Sequence, residues 1–260
     1  MDDTLIKYLF LAGSALLAGA INSLAGGGTL LTFPALFSAL SGDGVLANGT
    51  STLALAPGSL AGAWGYRKEL AEKKALLRRL LLPSVVGGAV GALLVTRCPG
   101  SVFNMLVPWL ILSAALLFLV QKPLARWLGT HKLESQPSRS AYALLLFFQL
   151  IVGIYGGYFG AGIGILMLTS LGFMAAGNIH QMNGVKTLLA TAINGIAVVV
   201  FIIDGQVKWN YATAMAFSAI VGGYGGARLA RRLPPSYIRG FVIFIGFSLA
   251  AYYFWRQSFQ

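Results

Sequence analysis

Long stretches almost without charge alternate along this chain with short stretches that hold nearly all of it. An α-helix rises about 1.5 Å per residue, so about 20 apolar residues cross the hydrocarbon of a bilayer. Eight stretches reach or approach that length: Leu5–Leu24, Ala47–Tyr66, Leu80–Thr96, Val102–Val120, Ala141–Tyr158, Met182–Ile203, Ala212–Arg228 and Tyr237–Trp255. Two further apolar runs, Gly26–Leu40 and Gly160–Met174, are roughly 15 residues each, short for a straight span, and each opens on a glycine cluster. They are too apolar for aqueous loops. The pattern predicts an all-α polytopic membrane protein with eight long transmembrane helices and two short, glycine-interrupted segments that cross or re-enter.

The polar stretches decide between those two options. If both short runs turn back, eight spans leave Arg228, Arg231, Arg232 and Arg239 outside with Arg97. If both cross, ten crossings put both termini outside. The fourteen Lys and Arg of Arg67–Arg79, Lys122–Arg139 and Arg228–Arg239 then face the cytoplasm. Only Lys7, Arg97, Lys208 and Arg256 lie outside, with Lys186 inside a span. Basic residues concentrate on the cytoplasmic side of membrane proteins, which favours ten crossings.

The composition agrees. Apolar residues make up 57% and charged residues 10%, against roughly 45–50% and 25% in soluble domains. A water-exposed globule is thereby excluded. The net charge of +12 sits in clusters between apolar runs, so nucleic acid is not the expected partner. The two aspartates of Met1–Lys7 argue against a cleaved signal peptide. Cys98 is the single cysteine, and no Cys/His spacing suits a zinc site. No cofactor is expected.

The two halves resemble each other. Leu24-Ala-Gly-Gly-Gly28 matches Tyr158-Phe-Gly-Ala-Gly162 at an offset of 134. Ala47-Asn-Gly-Thr-Ser-Thr52 matches Met182-Asn-Gly-Val-Lys-Thr187 at 135, and Val86–Ala92 matches Val221–Ala227 at 135. Residues 1–120 and 141–260 are thus read as two homologous repeats, joined by a cytoplasmic linker at 121–140. Five crossings per half make the repeats inverted, an arrangement in which discontinuous helices near the midplane form the substrate site.

The candidate site follows from that expectation. Asn22, Ser23, Gly26, Gly27, Gly28 and Thr29 form the first break; Gly160, Gly162 and Gly164 form the second. Glycines let the backbone turn at membrane depth, and a helix starting there directs bare N–H groups and its positive end at an anion. Close helix packing through small residues is the competing use. Lys186 lies in an apolar span without an acidic neighbour, so it faces an anion or a cavity, or snorkels to the interface. Asn183, Thr187 and Asn194 extend a polar strip from it; Asn48 and Thr50 are the first-half counterpart. Amides and hydroxyls bind oxyanions without adding charge, and they also bond helix to helix.

In order and spacing these blocks resemble the sulfite exporter TauE/SafE family, multi-spanning bacterial and archaeal membrane proteins that transport sulfur-containing or related anions. The carriers of the resemblance are Gly19–Ala35, Asn183-Gly-Val-Lys-Thr-Leu-Leu189, Ile193-Asn-Gly-Ile196, Gly205-Gln-Val-Lys-Trp209 and Val221–Pro234. Many members carry a lysine after the asparagine of the first repeat, where this chain has Thr50 and Ser51. The resemblance implies a secondary transporter of a small organic or inorganic anion, such as sulfite or an organosulfonate, in the cytoplasmic membrane of a bacterial or archaeal cell. An anion channel of the same architecture is the alternative. No catalytic motif is present, so an enzyme is not expected. The expected partners are a small anionic substrate and the lipid bilayer, and the sequence leaves a homodimer open.

Overall fold

The computed structural model describes residues 3–24, 27–130, 139–173, 179–229 and 235–258. Among them every regular element is a helix: α1 (Asp3–Leu24), α2 (Thr29–Ala39), α3 (Gly44–Gly65), α4 (Arg67–Ala71), α5 (Lys74–Arg97), α6 (Gly100–Thr130), α7 (Arg139–Tyr158), α8 (Ile163–Phe173), α9 (Ile179–Ile203), α10 (Trp209–Leu229) and α11 (Pro235–Ser258). Each predicted apolar run forms a helix. The boundaries of most of the long runs move outward, because helical hydrogen bonding continues past the apolar stretch into polar sequence: α5 begins at Lys74 rather than Leu80, and α6 runs to Thr130, into the predicted linker; the two short runs contract, to Thr29–Ala39 and Ile163–Phe173. Of the described helical segments, Thr4–Asn22, Lys74–Arg97, Gly100–Gln121 and His180–Ile203 are long and apolar enough to cross a membrane.

The outer surface confirms the solvent for which the bundle is built. Ile203, Phe217 and Phe244 are 76%, 74% and 71% exposed. Side chains of this size facing water all round the molecule would drive aggregation; facing lipid tails they cost nothing.

Two helix crossings hold the bundle. In the first, α1 packs on α10 so closely that a methyl on Gly19 would strike the Ala219 carbonyl, and one on Gly222 the Leu16 carbonyl. In the second, α5 packs on α7: a methyl on Gly153 would stand 3.0 Å from the Ser84 oxygen, and one on Gly87 2.5 Å from the Leu150 oxygen. Adding 134 to Gly19 and Leu16 gives Gly153 and Leu150; adding 135 to Ser84 and Gly87 gives Ala219 and Gly222. The same contacts are therefore made twice, in the same register. Several other pairings obey the same exchange: α3 meets α10 as α9 meets α5, while α3–α9 and α6–α11 join equivalent helices of the two halves. Without a hydrophobic drive in lipid, close approach through small residues is what brings such helices together. At the second crossing Gln149 Nε2 also donates to Ser84 Oγ at 2.8 Å.

The loops sort to two ends. At one, the Tyr8 ring meets Tyr211 at 5.3 Å, Arg97 Nη2 meets Asp204 Oδ1 at 3.4 Å, and Gln257 Nε2 donates to the Asn104 carbonyl at 3.0 Å. At the other, Gln181 donates to the Glu72 carboxylate, and Gly184 packs on Tyr66. Both described termini, near Tyr8 and Gln257, thus share the first end.

Glycine to alanine stabilises an exposed helix interior by about 1 kcal/mol. Gly222→Ala and Gly87→Ala should instead lower the thermal midpoint in mild detergent, because each methyl meets a carbonyl of the facing helix. Gly195→Ala, where nothing lies within 4 Å, should leave it unchanged or raise it. Equal midpoints in all three would contradict close packing at the crossings.

Candidate functional site

The two expected breaks are present, and both rest on α6. Gly27 has φ of +143°, and Gly160 and Gly162 have φ of +82° and +81°, a region that L side chains rarely enter. A methyl on Gly27 would run into the Phe118 ring; one on Gly162 would lie 3.2 Å from Leu117 Cδ1 and 3.9 Å from Ala114 Cα. Segments far apart in sequence are thereby held about one turn apart along a single helix. The preceding helix pins each break. Asn22 Oδ1 accepts from the Gly27 N–H at 3.3 Å, and Tyr155 donates its hydroxyl to the Ala161 carbonyl at 2.8 Å.

Aromatic rings fill the space between the breaks. Phe33 on α2 meets Phe159 edge-on at 5.3 Å and Phe103 at 6.2 Å; all three rings and Phe118 are fully buried or within 2% of it. Two open grooves lie between helices that flank the breaks. One of about 340 Å³ lies between α6, α7 and α8 at Ser113, Leu117, Tyr155 and Leu166. One of about 520 Å³ lies between α11, α1 and α2 at Leu17, Leu31, Pro34 and Leu249. The two helix trios exchange under the repeat.

The second break holds the polar groups most suited to an anion. The α7 end closes on itself, with the N–H groups of Phe159 and Gly160 both donating to the Tyr155 carbonyl, at 2.9 and 3.2 Å. The next four N–H groups, from Ala161 to Gly164, have no acceptor among the described residues. Ala161, Gly162 and Ile163 are buried, and a buried N–H without an acceptor is costly. Lys186 lies over this helix start. A methyl on Gly164 would be 3.2 Å from its Cδ and 3.7 Å from its Cε. Among the described residues Lys186 has no carboxylate partner.

The remaining candidates divide. Asn194 approaches the second break, its Oδ1 lying 3.8 Å from a methyl on Gly160. Asn48 comes from the other half to the same segment, donating Nδ2 to the Tyr158 carbonyl at 2.9 Å. Thr50 lies apart: its hydroxyl donates to the Leu46 carbonyl at 2.6 Å and accepts the Lys208 N–H at 2.9 Å. Thr187 donates to the Asn183 carbonyl at 2.7 Å, and Asn183 is half-buried one turn before it. At the first break, Gly28 and Thr29 begin α2 and Ser23 lies in the last turn of α1, while Gly26 falls outside the described residues. The sequence reading passed over Thr32, whose hydroxyl is 2.6 Å from Ser51 Oγ in a fully buried pair joining α2 to α3. Its position three residues after Thr29 on the same short helix was the available signal.

With this geometry in view, residues 11–253 match the sulfite exporter TauE/SafE family. The chain belongs to that family. It is 30% identical over 258 residues to a protein of Haemophilus influenzae named "Probable membrane transporter protein", covering 95% of this chain and 93% of that one. A protein of Escherichia coli K12, "Probable membrane transporter protein YfcA", is 31% identical over 238 residues, covering 90% and 82%. One from Sinorhizobium, "Probable membrane transporter protein ORF9", is 28% identical over 249 residues, covering 95% and 91%. No solved structure matches the chain. The protein is a multi-pass membrane transporter of this family.

Truncating a fully buried phenylalanine costs about 3–5 kcal/mol. Phe33→Ala should therefore sharply lower the thermal midpoint in detergent. An unchanged midpoint would mean that this ring does not hold the breaks together.

Proposed function

We propose that the protein is a secondary transporter of a small oxyanion, sulfite or an organosulfonate in class, working by alternating access in the cytoplasmic membrane. One observation carries this reading: the four acceptor-free N–H groups of Ala161–Gly164 begin a helix against which Lys186 lays its stem. Buried donors without partners, a positive helix end and a lysine without a carboxylate all call for the same missing group, an anion with several acceptor oxygens. Asn194 approaches the break from α9.

Alternating access is supported by the repeat. Two halves that make identical crossings through different helices can rock about a fixed site and exchange roles. The Phe33–Phe159 contact spans the two halves and is the element that must part. In this reading the repeats are inverted, both termini lie outside, and the Arg67–Arg79 segment faces the cytoplasm. An inside-negative potential favours export of an anion by about 2.3 kcal/mol per charge per 100 mV.

The test is initial flux in proteoliposomes for sulfite, thiosulfate, sulfoacetate, sulfolactate and short carboxylates. At matched protein density, Lys186→Ala and Lys186→Gln should each transport at least about tenfold more slowly, the weight of one charge-assisted hydrogen bond. Wild-type flux in Lys186→Ala would mean that the lysine only snorkels. Acceleration by substrate on the opposite side marks a transporter; its absence, with flux linear in concentration, marks a channel.

Orientation has its own check. A cysteine at Ser258, in a chain with Cys98 replaced by serine, should react with an impermeant maleimide added outside intact cells. Reaction only after permeabilisation would overturn the ten-crossing arrangement.

A further inference from the structure

The groove between α1, α2 and α11 differs from its repeat counterpart between α6, α7 and α8 in its chemistry. Both reach the apolar exterior: Leu9, Phe10 and Leu17 of the first and Leu116 and Val120 of the second are exposed. At the offset of 135, however, Arg256 and Tyr252 of the first correspond to Gln121 and Leu117. Arg256 lines the larger groove, while no charged side chain lines the smaller one. The repeat accounts for two apolar grooves; it does not account for a cation on one of them.

The larger groove has the dimensions of one leaflet. Its α11 wall runs from Ile245 through Leu249 and Tyr252 to Arg256, about 16 Å at the helical rise of 1.5 Å per residue. Half of a hydrocarbon core of roughly 30 Å is about 15 Å. Arg256 stands at the aqueous mouth, because the next residue, Gln257, donates to the Asn104 carbonyl at the end of the bundle where loops and termini gather. Below it the opposite walls are apolar, formed by Gly13 and Leu17 of α1 and by Leu31 and Pro34 of α2. Among the described residues no carboxylate pairs with Arg256, and none lines the groove.

We infer that this groove binds one anionic phospholipid, with an acyl chain lying against α2 between α1 and α11 and the headgroup phosphate on Arg256. A guanidinium forks onto phosphate oxygens and retains its charge at any physiological pH. Tyr252 and Tyr253 line the same mouth, and amphipathic rings sit at headgroup level in membrane proteins. A zwitterionic headgroup would bring an ammonium for which the groove offers no carboxylate, so a headgroup of net negative charge is selected. The bound chain would also brace the core. Phe37 of α2 meets Tyr253 edge-on at 5.5 Å and stacks on Phe33 at 5.7 Å, so the helix that the lipid backs is the one that carries the aromatic plug.

This inference does not depend on the anion site and is tested without transport. The full chain is purified in a non-ionic detergent, stripped of lipid, and its thermal midpoint measured against dioleoylphosphatidylglycerol, dioleoylphosphatidylcholine and glycerol 1-phosphate. Phosphatidylglycerol should raise the midpoint saturably, phosphatidylcholine should need roughly tenfold more for the same rise, and glycerol phosphate should have no effect. Arg256→Gln should abolish the difference between the two lipids, the roughly tenfold weight of one charge-assisted contact. Gly13→Phe should weaken the response to both, because its ring fills the groove while nothing lies within 4 Å of the added Cβ; Gly13→Leu replaces it if that variant does not fold. Lys7→Gln removes a charge from the same end without touching the groove and should keep the wild-type response. Equal potency of the two lipids on the wild type would overturn the inference, as would an effect of glycerol phosphate alone. An undiminished preference in Arg256→Gln, or the same loss in Lys7→Gln, would replace a site with general surface attraction. A full response in Gly13→Phe would place the acyl chain elsewhere. A lipid-insensitive dimer that dissociates in Gly13→Phe would give the groove to a second copy of the chain. Each of these three outcomes also overturns it.

Discussion

Every backbone N–H and C=O that enters hydrocarbon must find its partner within the protein, because no water is there to supply one. Ten long or short apolar runs meet this demand by becoming helices. The loop from Phe159 to Gly162 does not. It carries positive φ at Gly160 and Gly162, leaves N–H groups bare on one side and leaves carbonyls bare on the other. An unsatisfied backbone inside a membrane protein persists only where it is shielded by other protein or where it meets a ligand. Here Ala114 and Leu117 of α6 shield it, while Lys186, Asn194 and Asn48 bring polar chemistry to it. The fold is arranged around that exception.

Holding such a break steady requires rigid surroundings, and the glycine crossings provide them. At α1–α10 and α5–α7 the backbones approach until no side chain fits between them, which removes rotamer freedom from the contact and maximises dispersion. The two crossings repeat residue for residue at the offsets of the sequence repeat. Between them the aromatic cluster of Phe33, Phe103 and Phe159 offers softer packing, with no hydrogen bond to break when rings slide. Tight crossings and a softer centre are what the proposed alternating access would draw on.

Charge is sparse and correspondingly informative. The Arg97–Asp204 pair lies at the end of the bundle, with the Arg97 side chain 72% exposed, a setting in which an ion pair contributes at most about 1 kcal/mol. Lys186 is different in kind. Its stem packs against the start of α8 at Gly164, and among the described residues no carboxylate pairs with it.

The sequence by itself determined the helices and the breaks, because both follow from local rules. Apolar runs bounded by polar stretches had to form helices. The short runs Gly26–Leu40 and Gly160–Met174 yielded the short helices Thr29–Ala39 and Ile163–Phe173, since glycine at their starts permits φ values that other residues resist. The repeat was legible too, being written in offsets, and so was Lys186 as the one basic residue within an apolar span. Tertiary structure decided what those pieces do to one another. Nothing in the spacing said that α1 would pack on α10 or α5 on α7, because a small-residue face fits many partners. Nothing in residues 48 and 158 announced that one would hand its amide to the other's carbonyl. That bond spans 110 residues, and it turns Asn48 from an anticipated donor into a buried acceptor. Local propensity settles where a chain can turn; which groups are left unpaired after turning depends on distant helices, and only the packed bundle decides that.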